Sequence, residues 1–206
     1  MSRKSSSGRW KQRQARDPFV RQAHAGGWRS RAVFKLAQID EREHLLQRGA
    51  TVLDLGAAPG GWSQYAAGKV GRGGRVVAVD LLPIEAIDGV HRIRGDFTDE
   101  KVLEQIIDAL GAGKADLVLC DMAPNISGNS SVDQPRSIRL AEAVLQAAQR
   151  LLKPGGTMLI KLFQGEGVEE LLQEVRVQFA SVRRRKPAAS RSESREIYLV
   201  AGNYRL

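Results

Sequence analysis

Apolar residues in this chain follow two alternating patterns. From Arg29 to Leu46 they fall at Ala32, Val33, Leu36, Ile39, Leu45 and Leu46, a helical spacing with Ser30 as a cap. Thr51–Leu55 is a short continuous apolar run that reads as a buried strand, and a helical pattern starts again near Trp62. Further strands are predicted at Arg75–Val79 ending in Asp80, Val90–Ile93, Ala115–Cys120 and Thr157–Ile160 ending in Lys161. Helices are predicted at Asp99–Leu110, Ser137–Leu152 and Val168–Phe179, with Lys153-Pro-Gly-Gly156 stopping the second. Val182–Lys186 and Arg195–Ala201 read as two closing strands around a polar loop. Strands that alternate with helices predict an α/β fold: a mostly parallel seven-stranded sheet with helices on both faces. The adjacent closing pair suggests one antiparallel strand. The Gly/Asn/Ser-rich stretch Asn125–Asp133 reads as a mobile loop over the site.

The first strand breaks into a glycine-rich loop, Gly56-Ala-Ala-Pro-Gly-Gly61. Strand, glycine loop and helix open a nucleotide site at the carboxyl end of an α/β sheet. The spacing Gly-x-x-x-Gly-Gly misses the dinucleotide pattern. Asp54 also lies inside the motif, and a carboxylate gains nothing from a diphosphate but favours a ligand carrying an ammonium and a sulfonium. The loop therefore points to S-adenosyl-L-methionine rather than NAD, with Gly56, Gly60 and Trp62 in its frame. The other strand ends add Asp80, about 24 residues past Gly56 and placed for ribose hydroxyls, then Asp96, placed for an adenine amino group, then Asp121 and Lys161. Each Asp alone is an ordinary turn residue. Four carboxylates at one edge are costly without a ligand or partner to pair them. A Lys161–Asp121 contact between neighbouring strands is natural, and a plain salt bridge is its simplest meaning.

Composition narrows the picture. At 206 residues and 42% hydrophobic, the chain is long enough for one sizeable α/β domain. Its single cysteine, Cys120, excludes an internal disulfide and a cysteine-based metal site, and it sits in an apolar run as a small core residue. No apolar stretch reaches membrane-spanning length and the N-terminus lacks a signal-peptide core, so the expected protein is cytoplasmic and away from membranes. The net charge of +9 is lopsided: residues 1–35 carry ten Lys/Arg against Asp17 alone, whereas residues 36–206 carry 22 of each sign. A basic, partly disordered arm over 1–27 and a single domain over 28–206 follow, with a polyanion as partner. Arg29 and Arg31, together with the cluster Arg183, Arg184, Arg185 and Lys186, are candidates to grip a phosphate backbone from two sides.

Six segments together resemble one family, the bacterial FtsJ/RrmJ ribosomal RNA ribose methyltransferases. They are Arg29–Leu36, Asp54–Ser63, Gly95–Phe97, Asp121–Asn125, Ile160–Gly165 and Ser194–Tyr198. The likeness runs from Asp17 to about Ala201 and leaves the preceding arm unmatched. It implies a Rossmann-like class I S-adenosylmethionine-dependent methyltransferase fold. It also implies a Lys-Asp-Lys-Glu tetrad at Lys35, Asp121, Lys161 and Glu196, and cofactor contacts at Gly60, Trp62, Asp80, Asp96 and Asp121. The implied reaction moves a methyl group from S-adenosyl-L-methionine to a uridine 2′-hydroxyl of large-subunit rRNA, in the assembled 50S subunit, leaving S-adenosyl-L-homocysteine and using no metal. Lys161 is then a proton acceptor or a group that orients the hydroxyl, and sequence leaves both roles open. Alternatives are a tRNA or mRNA-cap ribose methyltransferase, a non-catalytic RNA-binding assembly factor and an NAD-dependent oxidoreductase. Scarce aromatics, 5%, disfavour cap recognition. The expected state is a monomer.

Overall fold

The computed structural model describes residues 17–111, 113–125 and 127–206. Residues 1–16 of the basic arm, for which partial disorder is expected, lie outside this range. Seven strands form one sheet in the order β3-β2-β1-β4-β5-β7-β6. They are β1 (Thr51–Leu55), β2 (Arg75–Asp80), β3 (Val90–Arg94), β4 (Ala115–Cys120), β5 (Leu152–Phe163), β6 (Phe179–Arg185) and β7 (Glu196–Tyr204). Strands β1 to β5 pair in parallel, and β7 runs antiparallel to both β5 and β6, giving the single reversed strand expected from the closing pair.

Among the described residues six helices cover the sheet: α1 (Pro18–Ala25), α2 (Val33–Glu43), α3 (Gly61–Val70), α4 (Glu100–Leu110), α5 (Ser130–Leu151) and α6 (Val168–Gln178). One face carries a core that includes Ile106, Val144, Ala148, Leu172 and Val175. The other carries Leu36, Ile39, Trp62, Ala66 and Tyr198. Alternation of side chains across each strand divides the two sets.

Several boundaries differ from the sequence reading, each for a local reason. Helix α1 was not expected. Asp17 caps it by accepting the Phe19 N–H (3.0 Å), Pro18 occupies the first turn, and Ala23 is buried. Helix α2 starts at Val33 after Ala32, with no side-chain cap. Ser30 instead lies against α3, so close that a Cβ on Gly61 would stand 2.5 Å from its Oγ. Helix α5 starts seven residues before Ser137, absorbing the end of the expected mobile loop, because Asn129 caps it through the Ser131 N–H (3.2 Å). Helix α5 stops at Leu151, just before Lys153-Pro-Gly-Gly156 as expected, but that stretch is already part of β5, with a register shift against β4. Pro and Gly are tolerated at such strand entries and irregularities. Phe179 opens β6 rather than closing α6, its ring 5.2 Å from Tyr204 of β7.

Candidate active site

The carboxyl ends of the parallel strands gather the residues that the sequence singled out. Asp54 on β1 is buried at 1% exposure and accepts a 2.6 Å hydrogen bond from Ser63 Oγ of α3. Burial pushes its carboxyl up to about 7; the charges of Asp121 and Asp80 add to the rise and the Ser63 bond opposes it. Beyond β1 the chain turns at Gly56, whose N–H reaches back to Val79 O (2.8 Å). Its φ is +73°, and a Cβ there would stand 1.8 Å from Met122 Cγ, so both the backbone and the space exclude a side chain. Gly60 caps α3 with φ +107°. The first-turn N–H groups of α3, including that of Trp62, have no intrahelical partner and suit a carboxylate ligand.

Asp80 receives the Ala58 N–H (2.9 Å) on one oxygen and the Leu82 N–H (2.8 Å) on the other, which fixes the carboxylate at the end of β2. Asp96, just past β3, accepts both the N–H (2.9 Å) and the Oγ–H (2.7 Å) of Thr98 on one oxygen. Both line a cavity of about 230 Å³, with Gly56, Leu81, Phe97, Met122 and Leu140 among its other walls. A mostly apolar slot with two carboxylates at its edge matches an adenosine: a flat base between side chains, ribose hydroxyls and an exocyclic amine as donors. These residues fit S-adenosyl-L-methionine. Trp62 is placed otherwise than a side-chain ligand would be. Its indole is buried, 5.9 Å from the Tyr198 ring, and its Nε1–H donates to Ala32 O (2.8 Å).

That indole bond helps to place the second half of the site. Gln64 of α3 accepts the Arg29 N–H (3.2 Å) and donates to Gly27 O (3.0 Å). Together with Trp62 it fastens the segment before α2 and brings Lys35 over the sheet. Lys35 Nζ lies 2.7 Å from Glu196 Oε1. On β5, Lys161 Nζ lies 3.1 Å from Asp121 Oδ1 and donates to Asp121 O (2.5 Å). The β5–β7 register pairs Lys161 with Tyr198 and Phe163 with Glu196, so all four side chains share one sheet face. The four tetrad residues are thus brought together as two ion pairs at the sheet edge.

Tyr198 ends the segment Ser194–Tyr198, and although the resemblance implies no role for it, it joins the pairs. Its hydroxyl donates to Asp121 Oδ1 (2.6 Å), and Lys35 Nζ stands 5.7 Å from its ring centroid. Burial, then the charges of Asp121 and Glu196, raise its phenol well above the ordinary range, so it remains a donor. The signal was available in sequence: a residue two positions past Glu196 in a strand lies on the same face. Burial would raise the Glu196 carboxyl, but the bond and charge of Lys35 outweigh it, helped by Ser190 and Lys161, and the carboxyl is held below its usual range. Burial pushes the Cys120 thiol up to about 12, in keeping with an inert core residue. Among the described residues no group of His, Cys, Asp and Glu could hold a metal, and no helix is long and apolar enough to cross a membrane.

The cations read as two RNA clusters are largely engaged within the fold. The Arg29 guanidinium donates to Pro59 O (3.3 Å), Glu85 O (3.0 Å) and Ala86 O (2.5 Å). Arg31 bonds the Asp17 carboxylate and Ala189 O. Arg183 and Arg185 both grip Glu43, whose side chain is 4% exposed. Arg184, between them on β6, pairs with Glu169. Alternation along the strand sends Arg184 to the opposite side, so the run does not form one patch. Lys186 Nζ donates to Ser192 O (3.4 Å) and Ser194 O (2.8 Å).

Comparison with known proteins agrees with this geometry. Residues 28–204 match the family model described as FtsJ-like methyltransferase. The ribosomal RNA large subunit methyltransferases E of Legionella pneumophila strains Corby and Paris are each 50% identical over 206 residues, covering all of both chains. A protein assigned as a ribosomal RNA methyltransferase in Plasmodium falciparum superposes with a TM-score of 0.75 at 26% identity, over 86% of this chain and 98% of that one. Aeropyrum pernix fibrillarin, solved with natively bound S-adenosyl-L-methionine, shares the fold at a TM-score of 0.61 and 16% identity, over 84% and 74%.

Proposed function

The chain belongs to the FtsJ-like methyltransferase family, and on that premise we propose that it methylates the 2′-hydroxyl of a uridine ribose in large-subunit (23S) rRNA, using S-adenosyl-L-methionine. Full-length identity of 50% to ribosomal RNA large subunit methyltransferases E supports the substrate class. The observation that carries the chemistry is the convergence of Lys35–Glu196 and Lys161–Asp121 on one sheet face. Asp121 precedes Met122, which lines the adenosine-shaped cavity, and also holds Lys161. Lys35 and Glu196 line a second cavity of about 350 Å³. Asp121 links the two, next to Met122 on one side and bonded on the other to Tyr198, whose ring lies 5.7 Å from Lys35 Nζ.

Asp80 and Asp96 would hold the adenosine, and Asp54 with the α3 N-terminus the methionyl end. When bound, S-adenosyl-L-methionine supplies an electrophilic methyl carbon on a good leaving group. The protein's task is to align the ribose oxygen and manage its proton. Lys161, fixed by both the carbonyl and the carboxylate of Asp121, presents its remaining N–H to the 2′-oxygen and stabilises the charge that grows there, while the hydroxyl proton is lost to water late in the displacement. Tyr198 keeps Asp121 in place. Lys35 and Glu196 hydrogen-bond the sugar and set its orientation. The substrate is the assembled 50S subunit, which brings its own shape to a small monomeric enzyme in the cytoplasm.

The test is a map of ribose methylations in ribosomal and transfer RNA from cells with and without this gene. One 2′-O-methyluridine of 23S rRNA should vanish on deletion and return when purified protein is added to isolated 50S subunits. Loss of a tRNA methylation in its place would overturn the substrate assignment.

A further inference from the structure

We propose that Arg191 binds an RNA phosphate next to the target ribose, making the cavity beside Lys35 and Glu196 a combined sugar-and-phosphate site. The inference rests on the ribose-methylation reading above. In RNA the 2′-hydroxyl sits on the carbon adjacent to the one that bears the 3′-phosphodiester. An internal nucleotide that offers its 2′-oxygen to Lys161 therefore brings an anion into the same cavity.

The lining of that cavity includes Arg31, Lys35, Arg191, Glu193, Ser194 and Glu196. Two of the three cations are already engaged. The terminal nitrogens of Arg31 bond Asp17 and Ala189 O, and Lys35 is paired with Glu196 at 2.7 Å. Arg191 is exposed, and among the described residues its side chain forms no salt bridge and no hydrogen bond. A phosphate that enters this cavity needs a cation to meet it. A guanidinium suits this, because its forked donors match two phosphate oxygens.

The loop that carries Arg191 is held in shape by residues that sequence alone assigned to RNA. Lys186 Nζ clasps Ser192 O (3.4 Å) and Ser194 O (2.8 Å), and Arg31 holds Ala189 O. Gln38 of α2 accepts the Ala189 N–H (2.9 Å). The Ser194 N–H bonds Arg191 O (3.1 Å), closing a turn with Arg191 at its start. Lys186 and Arg31 thus support the loop, and Arg191 is the cation left to bind substrate.

The test uses the full-length protein with isolated 50S subunits as acceptor and compares wild type, Arg191→Ala, Arg191→Glu and Arg191→Lys. Initial rates give KM for the subunit and kcat, competition at several salt concentrations gives the salt slope, and calorimetry gives S-adenosyl-L-methionine affinity. Arg191→Ala should raise KM for the subunit about tenfold, the worth of one charge-assisted contact, with kcat nearly unchanged. The slope of log affinity against log salt should fall by about one, because one fewer counterion is released. Arg191→Glu should be worse, Arg191→Lys should recover part of the loss, and cofactor affinity should stay constant. An unchanged KM and slope in both Arg191→Ala and Arg191→Glu would overturn the proposal. So would a loss that appears in kcat, melting temperature or cofactor affinity. A wild-type protein that fails to methylate ribose at all would instead sink the proposed function, and that result is read before any variant is compared.

Discussion

Lys35→Met tests whether the Lys35–Glu196 pair is a desolvated ion pair whose halves depend on each other. The two groups meet at 2.7 Å with side chains only 12% and 11% exposed. Removing one partner of such a pair leaves a buried charge and costs about 3–5 kcal/mol. Lys161 still acts on Glu196, and the pair borders a cavity, so the loss falls below that range, roughly 2–3 kcal/mol. In a chain of this size that lowers the melting temperature by about 4–12 °C. Glu196→Gln should cost a comparable amount. The double variant should recover a good part of the summed loss, because no unpaired charge remains.

The pH dependence has a definite sign. In the wild type, Lys35 holds the Glu196 carboxyl below its usual range. The pair's contribution is therefore complete above the unfolded value and is lost as pH falls through the lowered folded one. In Lys35→Met, burial dominates and the carboxyl moves above the unfolded value. A penalty then grows as pH rises and disappears on acidification. The stability gap between wild type and variant should be widest near pH 7.5 and narrow toward pH 4.5. Denaturant unfolding at a series of pH values measures it. A variant as stable as wild type at pH 7.5, or a gap that widens in acid, would refute the argument.

Three further outcomes follow from the geometry. With the Asp54 carboxyl at about 7, a cationic cofactor should bind roughly tenfold more weakly at pH 6 than near pH 7.5 by calorimetry; Asp54→Asn should flatten that dependence, and a profile shared by both proteins would discount Asp54. Tyr198→Phe deletes the 2.6 Å bond to Asp121 while keeping a fully buried ring. It should cost about 1–2 kcal/mol in unfolding free energy and lower kcat with little change in cofactor affinity; an unaltered kcat would remove Tyr198 from the positioning of Lys161. Glu43→Ala frees Arg183 and Arg185. It should destabilise the protein by about 1 kcal/mol without weakening RNA binding, discounted because both arginines are partly exposed; weaker RNA binding would show that this arrangement presents the arginines to substrate.

The sheet was legible because strand β1 and the glycine turn at Gly56–Gly61 obey local rules: a buried run, then backbone that only glycine can follow. Asp54, Asp80, Asp96 and Asp121 were legible because strand ends face the ligand in any open α/β sheet. Lys35 and Glu196 came from family likeness, since nothing local aims a helix residue at a distant strand. Tyr198 was missed although strand periodicity placed it beside Glu196; its role depends on the pairing of β7 with β5, a long-range fact. The partners of the arginines within the fold were hidden for the same kind of reason. Charge counted along the sequence cannot reveal that Glu43 and Glu169 stand on opposite sides of β6. Helix α1 and the early start of α5 depended on the single caps Asp17 and Asn129, which composition-based reading averages away.

The central claim is that the lysine fixed by Asp121 drives methyl transfer to a ribose 2′-oxygen. The direct measurement is single-turnover transfer of labelled methyl from S-adenosyl-L-methionine to 50S subunits by wild type and Lys161→Ala, with calorimetric binding of the cofactor to each. Lys161→Ala should bind the cofactor as wild type does and transfer at least about a hundredfold more slowly, the usual scale for removing such a group, and the wild-type label should be found on a uridine 2′-oxygen. Transfer by Lys161→Ala at near-wild-type rate, or wild-type label on a base, would contradict the account.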